Sequence, residues 1–247
     1  MRRAIVAVFL LCLWSGIAVA DAGWQRDGRS LLTNFNNMYS PCVVETGGEY
    51  RFKMWFFGWA TATANPDIPG ADAIYHARSK NLESWEVYCR DGSWDTAMDP
   101  TMWWPVLHAS ERWYEACHVG DPSVVLKEGT FYMAYSASSN PNARKDTSVQ
   151  GEAAMICCIM GATSSDGIHW SKAEQPLLME TEEAQQATDI SGHFVNFLRP
   201  SLRWEGGRWR MWFDYLFEGK NICMAYAENA GDFMREGGFN IAETGEQ

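Results

Sequence analysis

Basic charge is scarce in this chain. Lys and Arg total 20 against 31 Asp and Glu, a net charge of −11 at pH 7, and no run of three basic residues occurs. A chain that holds nucleic-acid phosphates normally carries a basic face, so no nucleic-acid partner is expected. Familiar catalytic signatures are missing too. There is no phosphate-binding P-loop, no G-x-S-x-G nucleophile elbow and no H-E-x-x-H zinc helix. No loop spaces its carboxylates as calcium ligands, and no Cys and His pair with zinc spacing, so neither a metal nor a cofactor is expected. Helical periodicity is nearly absent; only the acidic stretch 180–187 suits a turn or two of helix. Beyond residue 20 no segment is apolar and long enough to span a membrane.

The N-terminus differs from the rest. Arg2 and Arg3 precede an apolar run from Ala4 to Ile17, and Ala18-Val19-Ala20 forms an A-x-A cleavage pattern before Asp21. Residues 1–20 therefore read as a secretory signal peptide, which places the mature chain 21–247 in a secreted or periplasmic location, off the membrane after cleavage. An uncleaved anchor is the alternative, and the short apolar run weighs against it. Cys12 leaves with the signal. Cys42, Cys89, Cys117, Cys157, Cys158 and Cys223 remain, with no compact disulfide spacing. Adjacent Cys157 and Cys158 point to opposite faces of a strand, so mostly buried thiols with at most one or two bridges are expected.

What the sequence has in quantity is aromatics, at 14% with thirteen Trp, and an internal repeat. Three segments share a short apolar strand entered through a Pro, a tight turn, and an aromatic strand. The first is Tyr39-Ser40-Pro41-Cys42-Val43-Val44, Gly47-Gly48, Tyr50 to Phe56. The second is Gly120-Asp121-Pro122-Ser123-Val124-Val125, Glu128-Gly129, Thr130 to Tyr135. The third is Leu198-Arg199-Pro200-Ser201-Leu202, Gly206-Gly207, Arg208 to Phe213. Each is a β-hairpin signature. Third strands follow at Ala73–Ser79, Cys158–Ser164 and Ile222–Ala227, and the first two copies run on into Asn81-Leu82-Glu83-Ser84-Trp85 and Asp166-Gly167-Ile168-His169-Trp170.

Four strands per copy is the size of one β-propeller blade, and radial stacking buries both faces of each sheet. The fold class is thus all-β, a propeller of four-stranded blades, over an immunoglobulin-like sandwich, which does not predict the repeat. The blades cover about 38–90, 119–178 and 196–236, with a polar tail from Gly237 to Gln247. Three are fewer than the four to eight that close a ring. Either the chain is part of a longer propeller or unrecognised segments fill the other positions.

The blade pattern resembles the five-bladed propeller glycoside hydrolases, the arabinanase/xylosidase-like and invertase/levansucrase-like group. His118-Val119-Gly120-Asp121-Pro122-Ser123-Val124 and Ser164-Ser165-Asp166-Gly167-Ile168-His169-Trp170 carry the likeness. The resemblance implies a glycosidase-like protein acting on a poly- or oligosaccharide, with three acidic residues at the starts of innermost strands. The matching positions are Ser40, Asp121 and Arg199, and only Asp121 is acidic. In such enzymes the equivalent Asp tunes the acid or stabilises the charged transition state.

Glycoside hydrolysis needs two carboxyl groups, so the others must come from elsewhere. Candidate catalytic residues are therefore Asp121, Glu115, Asp189 and Asp214; the end of strand two, where Asp214 falls, lies beside the start of strand one. Candidate substrate-binding residues are His118, His193, Arg199, Trp59 and Trp113. Arg199 calls for a carboxylate partner, with Asp121 the natural choice. Trp103 and Trp104, like Trp59 and Trp113, fall outside the repeat and are candidates for stacking on sugar rings, while Trp55, Trp85, Trp170 and Trp212 recur with the blade and belong to the core. Asp72 and Asp99 read as loop residues without a partner. Three functions stay open: a glycosidase, a non-catalytic carbohydrate-binding propeller, and a scaffold for protein contacts.

Overall fold

The computed structural model describes residues 28–35, 37–60, 67–143, 150–179, 195–217 and 222–241. The leader 1–20, the stretch 180–187, Asp189 and His193 lie outside the described residues. The chain divides into a unit ending at Ser30 and a compact unit from Leu31 onward; the second is described below. Among the described residues no helix is long and apolar enough to cross a membrane.

Three antiparallel sheets make up the unit. The first holds β1 (Tyr39–Glu45), β2 (Phe52–Trp59), β3 (Asp72–Ser79), β4 (Trp85–Tyr88) and β5 (Trp94–Asp95), with β6 (Leu107–His108) added against β3. The second holds β7 (Val119–Lys127), β8 (Thr130–Ser138), β9 (Cys157–Ser164) and β10 (Ser171–Lys172). The third holds β11 (Val195–Glu205), β12 (Arg208–Phe217), β13 (Ile222–Asn229) and β14 (Asn240–Ile241). In each, consecutive strands pair as neighbours, the meander of a propeller blade. Two details differ from the sequence reading. The first sheet has six strands rather than four. The last strand of the third falls at 240–241, inside the segment read as a polar tail, where Ala227 pairs with Ile241.

The middle strand β8 shows why the repeat folds this way. Its residues alternate between two buried faces. Phe131, Met133, Tyr135 and Ala137 join Trp55 and Phe57 of the first blade in one core cluster. Tyr132 and Ala134 join Trp209, Met211 and Phe213 of the third in another. A two-sided apolar strand has no solvent face, so the blades must stack. The outer face of the first blade is closed by a third cluster, in which Met54, Phe56 and Tyr75 pack on Phe35 and Trp103. Trp103 is 1% exposed, with its indole N–H donated to Asp95 at 2.8 Å, and so is core rather than a sugar platform.

The turns between third and fourth strands repeat to the level of single hydrogen bonds. Ser79 Oγ accepts from the backbone of Asn81 and Leu82, and Ser164 Oγ from Asp166 and Gly167. Asn81 Oδ1 accepts from Glu83 and Ser84, and Asp166 Oδ1 from Ile168 and His169. Trp85 and Trp170 then donate their indole N–H to the Leu82 and Gly167 carbonyls at 3.1 Å. Trp55 reaches across from the first blade to donate to the Gly167 carbonyl at 2.9 Å. Cys42, Cys89, Cys117, Cys157 and Cys158 are not disulfide-bonded.

Gly167 is the tightest point of that inter-blade contact. Its φ is +84°, and a Cβ there would lie 2.7 Å from the Trp55 ring. Gly129 has a similar φ of +80° but open space around it. Gly129→Ala should therefore cost about 1 kcal/mol, the conformational term alone. Gly167→Ala should cost about 2–4 kcal/mol, because overpacking against Trp55 is added. Urea unfolding of the two variants measures the difference.

Candidate functional site

The first strand of every blade carries the same irregularity. Ser40, Asp121 and Arg199 each stand just before a proline and have φ of 45°, 50° and 51°. Each sits in a register shift of its hairpin, between Tyr39 and Cys42, Gly120 and Ser123, and Leu198 and Ser201. A proline discourages helical geometry in the residue before it, and a non-glycine residue at positive φ costs of order 1–3 kcal/mol. The strain turns three side chains, one per blade, toward a shared cleft of about 420 Å³ lined by Tyr39, Ser40, Asp72, His118, Asp121 and Arg199 among others.

Asp121 ties the blades together. Its Oδ1 accepts from Ser40 Oγ of the first blade at 2.8 Å. Ser136 lies beside its carboxylate and also accepts the Arg199 backbone N–H of the third blade at 2.8 Å. Its Oδ2 faces His118 Nε2 across 3.9 Å, too wide for a direct hydrogen bond. The other ring nitrogen, His118 Nδ1, lies 2.6 Å from Asp72 Oδ2. Gly120 permits this: a Cβ there would meet both the His118 ring and the Phe57 ring at 2.7 Å.

Two carboxylates thus bracket one imidazole. Burial alone would push His118 toward the neutral form, but Asp121 and Asp72 overcome it and raise its pKa from 6.5 to about 9. Burial likewise opposes ionisation of Asp121, yet the His118, Ser136 and Ser40 contacts win and hold its pKa below the ordinary value of 3.8. At neutral pH the floor of the cleft holds the His118 imidazolium beside the Asp121 carboxylate. Tyr39 supplies an aromatic rim: it is 47% exposed, and its ring meets Phe57 at 5.1 Å. Glu152, on the 3₁₀ turn Gly151–Ala154 between β8 and β9, lines the cleft from another side.

The other residues singled out by sequence fall as follows. His118, Asp121 and Arg199 meet in the cleft. Arg199 pairs with Asp214 at 3.0 Å rather than with Asp121, because Asp214 stands directly opposite Leu198 on β12. Asp214 is thereby committed to an ion pair at the edge of the cleft. Glu115 is not in the cleft at all. It is fully buried behind it, accepting from Tyr135 Oη at 2.7 Å, Lys172 Nζ at 2.7 Å and Ser110 Oγ at 2.8 Å. Trp59, 46% exposed, ends β2 opposite Asp72, while Trp113, 53% exposed, stacks edge-on with Tyr114 outside the cleft lining.

Asp72 corrects the reading of a partnerless loop residue: it opens β3 and holds His118. Glu152 and Tyr39 were not singled out. Glu152 lies in a connection the repeat does not mark, so no sequence signal points to it. Tyr39 directly precedes Ser40, and that position was the available clue.

His118 gains charge on folding, so it links stability to pH. Its raised pKa contributes stability that is full below about pH 6.5 and is lost as pH climbs through about 9. The loss should reach about 3 kcal/mol, and His118→Gln should flatten it. Urea unfolding at pH 6 and pH 10, with an NMR titration of the His118 ring, checks both the direction and the midpoint.

No protein-family model matches the sequence, and no curated protein matches it. Solved structures do match in fold. The Bombyx mori GH32 β-fructofuranosidase superposes with a TM-score of 0.51 at 17% identity, over 81% of this chain and 34% of that one. A mutant of it in complex with sucrose gives 0.53 at 16% identity, over 87% and 37%. A family 117 glycoside hydrolase from the marine bacterium Zobellia galactanivorans gives 0.55 at 11% identity, over 90% and 59%. The chain spans about a third of the first enzyme's length and under two thirds of the last. At these identities the likeness is one of fold, and the fold is that of the β-propeller glycoside hydrolases.

Proposed function

We propose that the cleft binds a carbohydrate and hydrolyses its glycosidic bond, in a protein exported by its leader. The observation that carries this reading is the floor built around Asp121. A carboxylate held ionised by Ser40, Ser136 and His118, in a cleft rimmed by Tyr39, suits the positive charge that develops at an anomeric carbon. Tyr39 offers an aromatic face to a sugar ring, and His118 and Arg199 offer N–H donors to its hydroxyls. The cleft is mixed in charge rather than basic, which fits a sugar better than a phosphate-rich ligand.

Asp72 and Asp121 are not the acid–base pair of this reaction. They lie on opposite nitrogens of one ring, at most about 9 Å apart, a span that inverting hydrolases use. The His118 ring fills that span, however, and leaves no place for the substrate between them. Asp72 is a positioning residue: it fixes the ring so that Nε2 faces Asp121.

A second reading is non-catalytic carbohydrate binding. It is favoured by Ser40 and Arg199, which occupy in the first and third blades the place that Asp121 holds in the second. Hydrolysis of a panel of aryl glycosides and polysaccharides by the mature protein separates the two. Turnover that falls at least about 100-fold in Asp121→Asn, with the fold intact, is the expected result. Sugar binding by isothermal titration without turnover by the wild type would leave the binding reading standing and remove the hydrolytic one.

A further inference from the structure

The first blade leaves two large aromatic side chains half exposed beside the cleft, Tyr39 and Trp59. Both stand on the face of the sheet that looks toward the second blade. Along β2, Trp55 and Phe57 enter the core cluster shared with that blade, and Trp59 is the next residue of the alternation. The register agrees. Tyr39 pairs with Phe57, and Trp59 pairs with Asp72, whose carboxylate reaches His118 on the cleft floor. Side chains directly opposite each other lie about 5 Å apart at Cβ, and diagonal neighbours such as Tyr39 and Trp59 about 7–8 Å. Phe57 and Asp72, which complete this square, both line the cleft. The backbone on either side of Trp59 is fixed. Before it, Gly58 packs so closely that a Cβ there would clash with the Phe35 ring and stand 2.8 Å from the Asn37 carbonyl oxygen. After it, the Ala60 N–H donates to the Ala71 carbonyl at 2.9 Å, and the Ala71 N–H to the Cys117 carbonyl at 2.8 Å. An indole on a fixed backbone has only two torsions to lose on binding, so its contact area is offered at low entropic cost. Exposure alone does not mark a binding residue: Trp113 is as exposed, but it packs edge-on against Tyr114 away from the lining.

We propose that Trp59 is the platform of a second sugar subsite, next to the one rimmed by Tyr39, and that the cleft takes chains of two or more sugars in preference to a single unit. The inference rests on the carbohydrate reading above and holds whether or not the bond is cleaved. A sugar ring carries C–H groups on its faces and hydroxyls around its edge. An indole covers such a face while the hydroxyls stay in water. The floor and the rim then divide the work of recognition. His118, Asp121 and Arg199 offer donors and acceptors to the hydroxyls of the first sugar. Trp59 has only Asp72 opposite it, and that carboxylate is committed to His118, so the rim offers area rather than hydrogen bonds. The second sugar is therefore selected for an unobstructed apolar face and not for one pattern of hydroxyls. The floor sets which sugar enters, and Trp59 sets how many.

The test measures binding of methyl glycosides, disaccharides and trisaccharides of the fructose, arabinose and xylose series to the mature protein, by isothermal titration and ligand-observed NMR. In a series that binds, the disaccharide should bind at least about 10-fold more tightly than the methyl glycoside. Trp59→Ala should abolish that increment and leave the affinity for the methyl glycoside as it is. Trp59→Phe, which keeps an aromatic face, should retain part of the increment. Trp113→Ala removes an equally exposed indole and should change neither affinity. All three variants should keep the Tm of the wild type, since each changes an exposed side chain. A disaccharide bound no more tightly than the methyl glycoside, a Trp59→Ala loss shared equally by the two, or the same loss in Trp113→Ala would each overturn the subsite while leaving the cleft a sugar site. A wild type that binds none of these sugars would overturn the carbohydrate reading itself, and the subsite with it.

Discussion

The cleft depends on one backbone contortion made three times. A residue that precedes a proline is held at positive φ inside a bulged hairpin, at Ser40, Asp121 and Arg199. Proline cannot donate to the strand ladder, so the bulge is where a sheet tolerates it. The bulge turns the preceding side chain out of the sheet's alternation and toward the neighbouring blades. Strain of this kind persists only where the surroundings over-determine it. Here they do: Ser40 bonds Asp121, and Ser136 takes the Arg199 backbone N–H. Each blade's strained residue is thus fixed by an adjoining blade or by its own middle strand, and the cleft is also a joint.

The joint carries charge, which makes it both informative and costly. Breaking one side of a buried charged cluster leaves the other side uncompensated, and that is where the large energies lie. Alternating partners across the cleft spread this risk. Asp72 from the first blade and Asp121 from the second share His118, while Arg199 from the third finds Asp214 on its own β12. The first and second blades are therefore coupled electrostatically. The second and third are joined through the neutral Ser136 hydroxyl and through packing around Trp209 and Phe213.

The fold was legible in the sequence because its cause is periodic. Proline entries, glycine turns and aromatic strands recur with the blade, and the alternation in β8 from Phe131 to Ala137 dictates two buried faces. The site was legible where it coincided with the repeat, at Ser40, Asp121, Arg199 and the neighbouring His118. It was not legible where side chains arrive from segments the repeat leaves unmarked. Asp72 stands one residue ahead of the strand read from the sequence, and its partner His118 is 46 residues away. Glu115 lies close to Asp121 in sequence, but the 3₁₀ turn Trp113–Glu115 directs it inward to Tyr135 and Lys172. Proximity along a chain does not fix direction, and only the turn's geometry separates Glu115 from the cleft. Trp103 likewise looks available in sequence but fills the cap over the first blade.

A repeated scaffold separates position from chemistry. The bulge delivers a side chain to the cleft whatever its identity: a hydroxyl in the first blade, a carboxylate in the second, a guanidinium in the third. A fold shared with glycoside hydrolases therefore specifies where groups converge, not which reaction they perform. With the first and third positions not acidic, chemistry that needs a second carboxyl group has to recruit it from outside the repeat. Exposed residues on connections are free to change without disturbing the blade stack. Glu152 occupies such a connection, whereas Asp72 is tied to His118. The cleft thus sets a residue that the blade architecture leaves free, Glu152, beside the one carboxylate, Asp121, that it constrains most.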